Sequence, residues 1–457
     1  MLKTYELVKT TGGTKMYPKQ DLLFPTNLKQ YEIIFDNLDL SAIPEPHQLT
    51  GRPAFSDRGI CRLLIYKNLR SIITLTELDT EVHDNSAIAY ICGLEFIPSR
   101  RRYEDFLHNT PNQLLQEIRR KQIGTLVSAG IITGKFLSID ATPVIANVKE
   151  NNPKVFVTGK FNKHKFPKND SDARLSVMIV QNAPKKQNKK EQKSKQLELF
   201  PTAIKSKKKQ IQFFWGYRNY TVFDSLSELP VSETTVQANI AESKMFIPCF
   251  KNLFRYFKFK PTGILADAIH DAEYIRKYIR KKLRAKDFIP INPRSTKQEI
   301  KFSPYNTRVC IAGFEMYPWG KFKDRGKLRR KFVCPILNLK WFAKKFPACP
   351  VNHPKFYHGG CYAYTRLDKS YRQSALTSKS PYFKKIYKLQ SGSERGFSRL
   401  LQLYMQHPTV TGLNAVTNHC TLAHITVLAI AVAAVKTNNP EKIRFIKGLL
   451  KILASRR

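Results

Sequence analysis

Phe136–Leu137–Ser138–Ile139–Asp140–Ala141–Thr142–Pro143 is the stretch on which the reading of this chain turns. An apolar run ends on one carboxylate, and small and turn-forming residues follow at once. Aromatic and β-branched residues in so short a run favour a buried strand. Asp140 then stands at the strand end, where a side chain leaves the core and faces a ligand. A single Asp in that place is ordinarily a turn former. Two further acids in comparable settings change its meaning.

The second is Asp267, in Thr262–Gly263–Ile264–Leu265–Ala266–Asp267–Ala268–Ile269–His270–Asp271. A short apolar strand again runs into an acid, and a helix follows with Asp271 as its expected N-cap. The third is Glu394, in Tyr387–Lys388–Leu389–Gln390–Ser391–Gly392–Ser393–Glu394–Arg395. Apolar spacing from Phe397 through Leu400, Leu401 and Tyr404 puts Glu394 on or just before a helix.

Three such blocks in order resemble the DDE transposases of bacterial insertion sequences, of the insertion-sequence-four/five type. The resemblance runs from about Leu49 almost to the C-terminus. Ile139–Asp140–Ala141–Thr142 matches the first block of that family. Ala266–Asp267–Ala268–Ile269–His270–Asp271 resembles the middle block, with Ile269 and His270 where Gly-Tyr is usual. Tyr387 and Glu394 match the last block, Tyr-x2-Arg-x3-Glu-x6-Lys, while Gln390 and Leu401 replace its Arg and Lys. The implied fold is α/β: a ribonuclease-H-like mixed sheet with flanking helices, preceded by an all-α N-terminal domain and interrupted by insertions. The resemblance also implies that Asp140, Asp267 and Glu394 are catalytic and bind Mg²⁺, with Mn²⁺ as a substitute.

Composition points the same way. Lys plus Arg number 78 against 35 acids in 457 residues, a formal net charge of +43 spread along the chain. Such a balance calls for a polyanionic partner, nucleic acid first. No basic amphipathic helix stands out for a membrane surface. The most apolar stretch, Thr421 to Val435, is too short for a bilayer span and contains His424, so it reads as a buried helix. No charged-then-apolar leader opens the sequence, and eight scattered cysteines fit a reducing compartment. A cytoplasmic, nucleoid-associated protein is the expectation.

Residues 1–132 read as a helical, DNA-binding domain, in which Arg100, Arg101 and Arg102 at a helix start would grip phosphates. A helical bundle that contacts only protein is the bland alternative. Residues 133–435 read as the catalytic domain, and 436–457 as a basic C-terminal helix. Within the catalytic half, the lysine-crowded run 184–210 reads as a disordered loop. Phe213 to Asp224, a turn at Ser225–Glu228 and a return through Val231 read as a hairpin, with Asp224 structural. Residues 293–386 form an aromatic and basic insertion. Cys334, Cys349, His353 and Cys361 there have zinc-compatible spacing, and loose buried thiols are the alternative.

Clustered carboxylates repel one another unless a cation lies between them. A two-metal site needs anionic oxygens to hold two hard cations, and Asp and Glu suit Mg²⁺. No phosphate-binding loop competes, since Gly12–Gly13–Thr14–Lys15 lacks the full spacing. The expectation is a DNA transposase that cuts and joins strands at the ends of its own element. Tyr387, Lys388, Arg395 and Arg399 would position phosphates. Its partners would be double-stranded DNA (terminal inverted repeats and target) and a second copy of the chain in the DNA complex. An inactive DNA-binding descendant of such an enzyme is the alternative.

Overall fold

A computed structural model describes residues 28–45, 54–157, 161–180, 210–292, 303, 307–366 and 380–455. The Gly51–Arg52–Pro53 turn and the lysine-rich run up to residue 209 lie outside the described residues. The chain divides into two units: Met1–Ala266 with Lys385–Arg457, and Asp267–Lys384.

Among the described residues the first unit opens with six helices: α1 (Lys29–Asp36), α2 (Asp57–Leu69), α3 (Leu75–Asp84), α4 (Ala87–Ile91), α5 (Arg100–Asn109) and α6 (Asn112–Ser128). Their boundaries follow local chemistry. Thr74 and Glu77 form a reciprocal capping box at the start of α3, satisfying backbone N–H groups that the first turn leaves unpaired. Gly93, just past α4, takes φ +80°, which suits a residue without a Cβ. Ser99 is the N-cap of α5 by backbone geometry, without a side-chain cap bond.

The sheet follows, with β1 (Phe136–Ile145), α7 (Pro153–Val157), β2 (Arg174–Val180), β3 (Gln210–Asp224), β4 (Leu229–Gln237), α8 (Glu242–Tyr256) and β5 (Gly263–Ala266). Strand order is β2-β3-β1-β5, with β4 also on β3. β1, β3 and β4 pair antiparallel, whereas β5 pairs parallel to β1 after the α8 crossover. An antiparallel meander whose first strand then takes a parallel neighbour is the ribonuclease-H-like arrangement. The expected strand end at Asp140 is corrected here. β1 continues through Pro143 to Ile145 because β3 supplies partners throughout, Ile145 lying opposite Gly216. What stops at Ile139 is the parallel ladder with β5, whose last pair is Ile139 and Ala266.

The chain returns to this unit with α13 (Ser391–Gln402), α14 (Leu413–Lys436) and α15 (Ile446–Ser455). α14 is long and apolar enough to cross a membrane, yet 94% of that window is buried against protein, as a core helix requires. It packs on α2, α5, α6 and β4. Polar residues on α14 find partners inside: Thr421 Oγ1 donates to Glu233 at 2.7 Å, and His424 Nε2 meets Asn219 Oδ1 at 3.1 Å, while His424 Nδ1 is buried without one. Both Asn219 amide hydrogens are used by Glu233 and Thr235, so its oxygen faces His424 and Nε2 carries the proton.

The second unit holds α9 (Glu273–Lys281), β6 (Lys286–Phe288), β7 (Tyr317–Asp324), β8 (Lys327–Val333), α10 (Pro335–Asn338), α11 (Lys340–Lys345) and β9 (Tyr362–Arg366). α12 (Pro381–Tyr387) leads back to the first. β7, β8 and β9 form an antiparallel sheet in that order. Asp271 is not the N-cap of α9, which Ala272 provides. Its carboxylate instead binds Arg276, itself fully buried and shared with Asp287, and accepts from Asn292 N. A buried guanidinium out-competes a backbone amide for the acid.

Burial holds the His419 and His424 imidazoles down at about 4. Below pH 6.5 the unfolded chain takes up protons that the folded chain refuses, so stability is full above 6.5 and is lost between 6.5 and about 4. Each imidazole accounts for on the order of 2–3 kcal/mol by the lower limit. Melting temperature should therefore fall steeply from pH 6.5 to 4.5, and less steeply in His424→Gln. A flat profile in the parent protein contradicts this.

Candidate functional site

Asp140 and Asp267 each follow, in the chain, a residue of the last pair of the β1–β5 ladder, Ile139 and Ala266. Asp140 is half-buried, Asp267 exposed. Antiparallel partners share a face, so Ser138, Asp140 and Thr142 lie on the face of Phe223, Thr221 and Asn219. Asp140 Oδ1 accepts from the Ala141 backbone N–H at 2.8 Å.

Helix α13 covers that face. A Cβ at Gly396 would run into the Phe223 ring, so the helix approaches only because residue 396 is glycine. Phe397 then meets Phe223 edge to face at 5.1 Å. Glu394 lies in the first turn of α13, exposed, while Ser393, Gly396, Phe397 and Leu400 turn inward.

The angle of α13 is held by an acid that sequence reasoning passed over. Glu228 sits in the β3–β4 turn at φ +60°, a strained value for a side-chain-bearing residue. Its buried carboxylate accepts from Arg395 at 2.6 Å, Arg399 at 3.1 Å and Arg444 at 3.3 Å. Burial alone would raise its pKa. Hydrogen bonds from Arg395 and Arg399, with the charge of Arg444, outweigh that and hold it below the usual range.

The expected phosphate contacts divide accordingly. Arg399 is turned inward onto Glu228 and its carbonyl, whereas Arg395 binds the same acid with its side chain still 57% exposed. Tyr387 ends α12 and Lys388 opens the short turn Lys388–Gln390. Gln390 is buried and Leu401 is exposed, so neither supplies a cation. At the start of α5, Arg102 pairs with Asp57 at 2.7 Å and Arg100 with Glu104 at 3.3 Å, while Arg101 is exposed.

In the second unit, Cys334 follows Val333 and Cys361 precedes Tyr362, and Val333 and Tyr362 are strand partners. The Cys361 thiol is pushed up by burial, then by neighbouring Cys334, Cys310 and Cys349. Cys310 therefore joins the expected group. His353 instead accepts from Lys355 N as the cap of a short helical turn. Among the described residues, no three His, Cys, Asp or Glu side chains are arranged to hold a metal ion.

A family model for the transposase DDE domain matches residues 178–429. The chain belongs to the transposase DDE-domain family. The matched span includes Asp267 and Glu394 and begins after Asp140. Among solved structures, the chain is similar to the piggyBac transposase synaptic complex with hairpin DNA, at 11% identity and a TM-score of 0.38. That match covers 97% of this chain and 82% of the other. No curated protein matches the chain.

Glu228→Gln keeps the shape and removes the charge that collects three guanidinium groups. Unfolding in urea should show a loss of about 2–3 kcal/mol, lower than for a fully buried pair because Arg395 is solvated. A loss below about 0.5 kcal/mol would mean the turn does not anchor α13.

Proposed function

We propose that this transposase cleaves DNA strands at the ends of its own insertion sequence and joins them to target DNA, using Asp140, Asp267 and Glu394. The reading is supported by the parallel ladder that ends at Ile139 and Ala266, each followed in the chain by an aspartate. Glu394, exposed on the helix that covers the Asp140 face, supplies the third acid. Carboxylate oxygens fit a hard divalent cation, Mg²⁺ before Mn²⁺. Bound there, such cations lower the barrier by charge stabilisation at the attacking and leaving oxygens.

The chain's own residues do the remaining work. The three acids fix where the cations sit, and the Glu228 anchor keeps the helix bearing Glu394 on the sheet. Lys388 and the exposed part of Arg395 meet phosphates, and Arg100 to Arg102 with the N-terminal helices add DNA affinity without reading bases. Two copies of the chain hold two element ends together. Any zinc in the second unit would draw on the neighbouring thiols of Cys334, Cys349 and Cys361, which are not arranged around an ion as they stand.

A second reading, a DNA-binding protein that has lost cleavage, is favoured by buried Gln390 and exposed Leu401 at the family's cationic positions. One assay separates the two. Purified protein with Mg²⁺ should nick a terminal-repeat duplex, and Asp267→Asn should lower the rate about 10²- to 10³-fold, the scale of losing one charge-stabilising group. Duplex affinity should change less than threefold. Nicking absent with both Mg²⁺ and Mn²⁺ supports the second reading, and nicking retained in Asp267→Asn removes that residue from the site. Emission spectroscopy on chelator-washed protein decides on zinc in the second unit: stoichiometric metal that is lost on Cys334→Ser supports it, and none in the parent removes it.

A further inference from the structure

One face of the β7–β8–β9 sheet is unlike an ordinary solvent face. Register places Phe322 opposite Arg329, Gly320 and Tyr364 opposite Lys331, and Tyr317 and Tyr362 opposite Val333. Alternation puts all of these on one side. Phe322 and Tyr364 meet at 5.4 Å, and Tyr364 and Tyr362 at 5.6 Å, so three rings form a continuous row. They are 37%, 41% and 53% exposed, whereas Phe332 on the other side is buried. Gly320 leaves the space over its rung open, since a Cβ there would touch nothing.

Scattered exposed aromatics need no explanation, but a contiguous row does. Charge decides what it faces. Lys331 and Lys355 stand 5.9 and 5.1 Å from the Tyr362 ring centre. From Tyr317 to Arg366 the chain has twelve lysines and arginines and a single acid, Asp324, which pairs with Arg329. An apolar protein surface would not match that charge. Duplex DNA would match it but hides its base faces within the stack. An unpaired strand offers both phosphates and flat base faces.

We propose that this sheet face binds single-stranded DNA, with bases stacked on Phe322, Tyr364 and Tyr362 and phosphates beside Lys331 and Lys355. The inference rests on DNA being the partner, and is independent of the three acids. It gives the protein a hold on strands unpaired during cleavage.

The test uses the full-length protein in chelator, so that no strand is cut. Anisotropy is measured with a labelled single strand of about 12 nucleotides and with the matching duplex at one salt concentration. Y362A/Y364A should weaken single-strand binding at least tenfold, since each stacked base is worth roughly 5- to 150-fold. Duplex binding should change less than twofold, and Y362F/Y364F should restore the single-strand value. Unchanged single-strand affinity, or equal losses on both DNAs, overturns the proposal. In the parent protein, a strand carrying 5-iododeoxyuridine should photocrosslink to Phe322, Tyr362 or Tyr364; crosslinks confined to other residues also overturn it. Loss of the proposal this way leaves metal-dependent nicking untouched, and failure of nicking leaves this binding untouched.

Discussion

The Glu228 carboxylate is the constraint from which the site's geometry follows. One acid at a left-handed turn position collects Arg395 and Arg399 from α13, together with Arg444 from the segment before α15. Charge-assisted bonds of this kind are short and directional, so they fix an orientation as well as adding stability. Packing alone would let α13 slide along the sheet. With Gly396 seated on Phe223 and the guanidinium groups anchored at the hairpin turn, the helix has one register. Glu394 is the neighbour of an anchored arginine and is positioned by it.

Beneath that helix the sheet is polar where a hydrophobic layer would be usual. Asn219, Thr221, Glu233, Thr421 and His424 are all buried and hydrogen-bonded to one another, and the charge of Glu233 offsets part of the burial that lowers the Arg119 guanidinium. A buried network of this kind is favourable only when nearly every member is satisfied, and it resists repacking. It makes the Asp140 face itself rigid, since Thr221 and Glu233 lie on that same face. Rigid support is what a site working by positioning needs, because a small displacement of a charged ligand forfeits much of its effect.

Local chemistry was legible in the sequence wherever the deciding partners were near in the chain. The Thr74 capping box, the hairpin closed by Asp224 and the buried character of α14 all follow from residues a few positions apart. Asp224 has the turn setting of a structural acid, and it accepts from Ser227 within the turn and from Gly134 N, 90 residues earlier. What escaped depended on distant partners. Pro143 suggested a strand end, yet β3 carries the pairing past it. Asp271 has a sound N-cap setting, but Asn292 N, 21 residues on, takes one of its oxygens, and Arg276, nearer but already held by Asp287, takes the other. Glu228 looked like one turn residue among several, because its guanidinium partners come from α13 and from Arg444, far along the chain. Cys310 was passed over for the same reason, being set apart from the thiols it neighbours.

The central claim is that Asp140, Asp267 and Glu394 converge on shared divalent cations. Metal-directed backbone cleavage tests it without relying on turnover: Fe²⁺ replaces Mg²⁺, ascorbate and peroxide are added, and the cut peptides are mapped by mass spectrometry. Three clusters of cuts are expected, next to Asp140, Asp267 and Glu394, disappearing together on adding excess Mg²⁺ or in Asp140→Asn. Cuts beside one acid only, or a set that survives loss of Asp140, would contradict it.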